Sequence, residues 1–199
     1  MATVTVAGVQ AAYILMDQQA CVDKVVTLLR QAVDGGARIV VFPEAFIPGT
    51  PIWIDSRPIW DGDGDWYAML VDQAVVVPGP VTEALGAAAR QAGAFLVVGV
   101  QERERHGATI YNTTLYLGPD GALLGKHRKL MPTGSERTVW GMGDGSTLPV
   151  IDTPHGRRLP RHRGAGTRTP WRHDLQHDAL LRPRRCPARQ TSQAGADRF

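Results

Sequence analysis

Cysteine is nearly absent from this chain of 199 residues: it has 2, Cys21 and Cys186. One falls in an expected helix and the other in an Arg-rich stretch, so neither a disulfide framework nor a Cys-based metal site is expected. No apolar run reaches the ~18 residues of a membrane span, and no charged leader precedes a short apolar segment. The expectation is a cytoplasmic protein in a reducing compartment, with no membrane partner. A further set of absences is local. From Arg157 to Phe199 there is no Lys, Val, Ile, Glu, Met, Tyr or Asn. Without Val or Ile the segment has little strand propensity, and Leu159, Trp171, Leu175, Leu180 and Leu181 make no sustained helical stripe. It cannot bury enough apolar surface to offset its ordering entropy, which predicts a largely disordered tail.

Charge divides at the same place. Residues 1–156 hold 11 basic and 16 acidic side chains, a net of −5, whereas 157–199 hold 11 and 3, a net of +8. The overall +3 and the isoelectric point near 9.1 therefore describe neither part. Three readings compete for the tail. It is a native Arg arm that binds nucleic acid through counterion release, with Arg182, Arg184 and Arg185 as its densest run; or a solvated tail without function; or the product of a frameshift in a GC-rich gene. The last is preferred, because a frameshift turns Ala, Gly and Leu codons into Arg, Pro, His and Thr and removes Val and Glu at one point. No nucleic-acid partner is expected. The division is thus a domain over 1–156 and a disordered or out-of-frame tail over 157–199.

The body alternates strand and helix signals. Thr3 to Gln10 suits a buried strand, and Gln18 to Ala32 has the apolar spacing of an amphipathic helix that Gly35-Gly36 ends. Ala37 to Phe42 reads as a short strand buried on both faces. A long polar and aromatic connection runs from Pro48 to Trp66. Val81 to Ala92 is helical, Ala94 to Glu102 is a strand, and Thr109 to Leu117 is its hairpin or neighbouring partner. Gly118-Pro119-Asp120-Gly121 is a tight turn into Ala122 to Lys126. This order predicts an α/β layered sheet.

Glu44 follows an apolar strand and Pro43. It should emerge from the core into a poorly solvated cleft, where a carboxylate becomes useful as a general base; a Glu exposed in a loop is the competing reading. Lys129 closes a cationic group, Lys126-His127-Arg128-Lys129, before Leu130-Met131-Pro132 lead back into apolar surroundings. A buried ammonium there requires a carboxylate, and Glu44 and Glu136 are available. A solvated basic face is the alternative for this motif taken alone.

Taken together, FPEAFIPG (42–49), IYNTTLYLGPDGALLGKHRKL (110–130) and HRKLMPTGSERTVWGMGDGS (127–146) resemble the nitrilase branch of the carbon-nitrogen hydrolase superfamily, over Thr3 to Gly156. The resemblance implies an α/β fold, here an incomplete α-β-β-α sandwich followed by the Arg-rich tail, in which the strands completing the second sheet are missing. It implies Glu44 as general base, Lys129 as the lysine that stabilises the tetrahedral intermediate, and Glu136 as a carboxylate that positions the lysine. It also implies a small-molecule nitrile as substrate, no cofactor, and homo-oligomerisation of a complete protein. Trp53, Trp60 and Trp66 are either walls of an apolar nitrile pocket or ordinary packing in an oligomer surface.

A nitrile carbon is a weak electrophile, so the chemistry needs a thiolate, a base and a cation facing the developing negative charge. The family's cysteine sits in a Gly-Gly-x-x-Cys-Trp-Glu motif that should begin just after Arg157, but that stretch reads RRLPRHRG. Cys21 lies on the apolar side of the first helix, a core position, and Cys186 has none of the motif around it. Gly164-Ala165-Gly166, shifted by two nucleotides, permits Cys-Trp, which is compatible with a frameshift. The expectation is a nitrile hydrolase by kinship whose present chain is inactive. A non-catalytic remnant of the fold, acting in binding or oligomerisation, is the alternative.

Overall fold

A computed structural model describes residues 3–56, 64–151 and 153. The tail's expected disorder, its Arg run, Cys186 and Trp60 all lie outside the described residues.

Apolar periodicity and capping set the first helix. Asp17 accepts a hydrogen bond from the Ala20 N–H (2.9 Å) and opens α1, Gln18–Asp34. The helix buries Cys21, Val22, Val25 and Leu29 on one side and stops at Gly35, as its spacing and Gly pair predict. The third helix, α3 (Pro80–Ala92), begins with a proline whose missing N–H costs nothing at a helix start. Helices α1 and α3 pack against each other and on the sheet, around Val40, Leu96, Val98, Leu115 and Leu117.

Among the described residues the sheet has six strands: β1 (Val6–Gly8), β2 (Ile39–Val41), β3 (Val75–Val76), β4 (Phe95–Arg103), β5 (Ile110–Leu117) and β6 (Leu123–Arg128). Its order is β1-β2-β4-β5-β6, with β3 also paired to β4. The pairs β1-β2, β2-β4 and β3-β4 are parallel, and β4-β5-β6 form an antiparallel meander. The expected hairpin of 94–102 with 109–117 is thus present. Its successor extends to Arg128, two residues beyond the expected end, because Lys126 and Arg128 stay in register with Leu115 and Thr113. The turn between β5 and β6 closes through Gly121 N–H to Gly118 O (2.9 Å), with Gly121 at φ 85°, a conformation that favours glycine.

Three expectations are corrected. The first strand covers only Val6–Gly8 and is not buried: it is an edge strand, and Val6 is 55% exposed. Strand β2 is shorter than Ala37 to Phe42, and within it only Val40 is completely buried, Ile39 and Val41 being partly exposed. The connection expected from Pro48 to Trp66 holds a one-turn helix, Ile52–Asp55, and its expected end at Trp66 lies inside α2, Gly64–Gln73. Among the described residues no helix is long and apolar enough to cross a membrane.

Candidate active site

Strand β2 breaks at Pro43 and rejoins the sheet four residues later. Phe42 N–H donates to Val97 O (2.8 Å), Ile47 N–H to Gly99 O (3.2 Å), and Gln101 N–H to Ile47 O (2.8 Å), so 42–47 continues alongside β4 with a bulge at its centre. Glu44 sits on that bulge, followed by Ala45 in the left-handed region at φ 48°. A non-glycine residue there carries a local cost of about 1–2 kcal/mol, sustained by the surrounding contacts. Opposite the bulge, β4 has a glycine. A Cβ on Gly99 would lie 2.4 Å from Pro43 O, 2.6 Å from Ala45 N and 2.7 Å from Glu44 Cα, all backbone atoms. Gly99→Ala is expected to push the bulge off the strand and lower stability by about 1–3 kcal/mol, the cost of overpacking; urea unfolding measures it, and an unchanged midpoint would contradict this packing.

The alternation of strand side chains sorts the polar groups onto two faces. Gly99, Gln101 and Asn112 share the face over which the Glu44 bulge lies, Gln101 being directly opposite Asn112. Buried Gln101 donates to Gly49 O, at the end of the bulge, and accepts from Trp140 Nε1–H at 2.9 Å. The Trp140 ring in turn lies 5.4 Å from Lys129 Nζ. Lys129, just past β6, completes the group.

All three predicted side chains meet. Lys129 Nζ lies 3.0 Å from Glu44 Oε1 and 2.9 Å from Glu136 Oε2, and Glu136 Oε1 is 3.0 Å away. Glu136 sits in a one-turn helix, Gly134–Thr138, and also accepts from the Thr133 N–H (2.7 Å) and hydroxyl (3.2 Å). These bonds hold its carboxylate toward the lysine. Partial burial pulls the Lys129 pKa down, but the hydrogen bonds to Glu136 and Glu44 outweigh it and the net shift is upward from 10.5. For Glu136, burial pushes upward while Lys129 and Thr133 pull downward more strongly, leaving it below 4.5. Both shifts favour the charged pair across neutral pH. The pair's contribution is lost as pH falls through the lowered Glu136 value, or rises through the raised Lys129 value.

The poorly solvated cleft expected around Glu44 is not observed. Its side chain is 57% exposed, against 16% for Lys129 and 24% for Glu136. The bulge carries Glu44 out to the lip of the sheet, and among the described residues no layer covers it. Trp53 and Trp66 stack on each other, with centroids 5.7 Å apart, and Trp53 is buried in a second core with Leu70, Ile110 and Trp140. Trp53, 4% exposed, is thus part of an internal core rather than of an outer surface. Cys21 is fully buried; burial raises its thiol pKa, and its Sγ–H donates to Ile14 O (3.1 Å), as expected of a core position.

One charged group was missed. Glu102, 2% exposed at its side chain, faces the opposite side of the sheet and binds Lys126 (2.5 Å), Arg128 (2.6 and 3.0 Å) and the Thr113 hydroxyl (2.9 Å). The run 126–129 is therefore not one cationic cluster. Period-two alternation sends Lys126 and Arg128 to Glu102 and Lys129 to Glu44 and Glu136, while His127 meets Thr147 O (2.9 Å). Among the described residues no group of three or more His, Cys, Asp or Glu is arranged to hold a metal ion.

The family model described as carbon-nitrogen hydrolase matches residues 5–173. The chain belongs to the carbon-nitrogen hydrolase family. That match continues past Gly156, where composition places the break. Among curated relatives, the chain is 49% identical over 156 residues to an aliphatic nitrilase of Sinorhizobium fredii (strain HH103), covering 75% of this chain and 49% of that protein. It is 47% identical over 161 residues to the bifunctional nitrilase/nitrile hydratase NIT4A of Lupinus angustifolius, covering 78% and 45%. The chain thus spans about half the length of the curated relatives it matches. The fold resembles Saccharomyces cerevisiae Nit3, a member of the nitrilase superfamily, at a TM-score of 0.60 and 24% identity over 77% of this chain and 52% of that one. It also resembles an amidase from Nesterenkonia sp. AN1, at a TM-score of 0.57 and 20% identity over the same shares. These likenesses show a mixed α/β fold of the nitrilase-superfamily type.

Proposed function

We propose that this chain carries the acid-base and electrostatic part of a nitrilase site, which in a complete protein converts a small nitrile and two waters into a carboxylic acid and ammonia. The observation that carries this reading is the position of Lys129 Nζ, within 3.0 Å of both Glu44 and Glu136. Glu44 is the general base: it takes the proton of the attacking thiol and later that of the hydrolytic water, and it returns protons to the departing nitrogen. Lys129 faces the negative charge that develops as the thiolate adds to the nitrile carbon. Its ammonium stays protonated through the reaction because two carboxylates stabilise the charged form. Glu136, held by Thr133, fixes where that ammonium points. The nitrile substrates of the aliphatic nitrilase and NIT4A relatives fit this assignment.

The nucleophile is the absent part. No cysteine lies between Cys21 and Cys186, and buried, protonated Cys21 is unsuited to the role. In the proposed division, 1–156 is the hydrolase portion and 157–199 an out-of-frame tail; the complete protein is a cytoplasmic homo-oligomer, and this chain alone is inactive. Resequencing the DNA across codons 155–175 and expressing the repaired frame tests the reading. The expected result is one indel that restores a Cys-Trp-Glu frame and nitrile hydrolysis that falls at least ~100-fold in Glu44→Gln and in Lys129→Met. Confirmed DNA without an indel would favour the non-catalytic remnant, and salt-sensitive nucleic-acid binding lost on deletion of 158–199 would assign the tail as a native arm.

A further inference from the structure

Glu44 is held by a residue outside the predicted site. Asn112 is the third residue of β5, 5% exposed, and its side-chain N–H donates to Glu44 Oε1. The same residue's main-chain carbonyl accepts from the Lys129 N–H at 2.8 Å. One position on the sheet therefore contacts both the carboxylate and the backbone of the lysine that binds it. Glu44 Oε1 receives two donors, Asn112 Nδ2 and Lys129 Nζ, whereas Glu44 Oε2 accepts no hydrogen bond among the described residues.

We propose that Asn112 is a positioning residue for the Glu44-Lys129 pair: its amide pins Oε1 against the lysine and leaves Oε2 as the atom that accepts and returns protons. This rests on the reading of Glu44 as the base. Glu44 is exposed and sits on a bulge, so its side chain has rotamer freedom that a single ion pair, worth about 0–1 kcal/mol at an exposed site, would restrict poorly. A hydrogen bond from a buried amide to a carboxylate is stronger, about 1.5–3 kcal/mol, and its donor is fixed by the strand. A carboxylate held through one oxygen presents the other in a defined direction, which general-base catalysis requires.

Lysine chemistry offers a test in the 199-residue protein itself, because the chain has three lysines, Lys24, Lys126 and Lys129. With 13C,15N-labelled lysine, the alkaline titration of each ammonium is followed by NMR in Asn112→Leu, Glu44→Gln and the double variant. The groups facing the Lys129 ammonium are Glu44, Glu136 and the Trp140 ring. Asn112→Leu is expected to shift the Lys129 midpoint downward, since a loosened Glu44 stabilises the ammonium less. Glu44→Gln should lower it as well, and the double variant should match Glu44→Gln alone. Lys126, bound to Glu102 on the other face, should not move. Asn112→Ser keeps a short polar side chain that falls short of Glu44; it should reproduce the shift and serves if the leucine variant does not fold. An unchanged Lys129 midpoint would overturn the proposal. So would an equal effect of Asn112→Leu in the Glu44→Gln background, or a parallel shift at Lys126, which would indicate general loosening of the sheet. These results are separate from the catalytic reading: a repaired-frame Glu44→Gln that kept full activity would sink the base assignment and leave the coupling intact.

Discussion

Replacing Glu102 with leucine is expected to lower the unfolding free energy at pH 7 by about 3 kcal/mol, near the lower end of what breaking a buried ion pair costs. The magnitude follows from what is left behind. Glu102 is 2% exposed at its side chain, but Lys126 and Arg128 are 26% and 21% exposed, so water can partly solvate the orphaned cations. Arg128 also keeps its place over the Tyr111 ring, 3.8 Å from the centroid, which limits the loss further. Glu102→Gln retains the shape and the Thr113 contact, and should cost less than leucine. The acid limb gives a second reading of the same group. Burial pushes the Glu102 pKa up, but Arg128, Lys126 and Thr113 pull it down more strongly, to below 4.5. Its contribution is therefore present above about 4.5 and disappears as pH falls through the lowered folded value. The stability difference between the natural chain and Glu102→Leu should narrow toward pH 3. Urea titrations at pH 7 and pH 3 measure both effects; an equal difference at the two pH values would contradict the charge-based account.

The candidate site was legible to the extent that it is written in local words. FPEAF places a carboxylate just past a strand, and HRKLMPTGSE places a lysine seven residues before a second carboxylate, so Glu44, Lys129 and Glu136 could be named and the two partners of Lys129 predicted. What escaped depends on register. Lys126 and Arg128 belong to Glu102 only because β5 and β6 pair with Thr113 opposite Arg128, a relation that no short motif encodes. The alternation of positions 126–129 carried a partial signal, since two residues of the run had to face away from Lys129. Asn112 was hidden in the same way, as one polar residue in IYNTTLYL whose role is set by Gln101 opposite it and by Glu44 across the face.

The exposure of Glu44 was misjudged for a different reason. An apolar approach predicts that the strand is buried, but enclosure of the following side chain depends on which layer lies above it. That is a tertiary property. Likewise, α2 was hidden inside a connection judged by its polar and aromatic content, although Trp66 and Leu70 stand one helical turn apart. The need for glycine at position 99 could not be read from AFLVVGVQE either. It is visible only once the Glu44 bulge folds back across the strand.

The second large effect concerns turnover. On the proposed reading, Glu44, Lys129 and Glu136 can bind and polarise a nitrile, but without a thiol beside them no covalent thioimidate forms and the nitrogen has no route to ammonia. In a serine-protease triad, where the members act as a unit, removing the nucleophile alone costs on the order of 10⁶ in turnover. The same scale is expected here, because Cys21 is buried and its thiol is held protonated. Addition of a nucleophilic thiol from solution should not restore the rate, since proximity and orientation are lost together.

The most direct measurement is ammonia release from a small aliphatic nitrile by the purified 199-residue chain. No release above the uncatalysed background is expected, in both the natural chain and Glu44→Gln. Ammonia produced at a measurable rate and abolished by Glu44→Gln or Lys129→Met would show that the chain holds a nucleophile of its own, and would overturn its proposed inactivity.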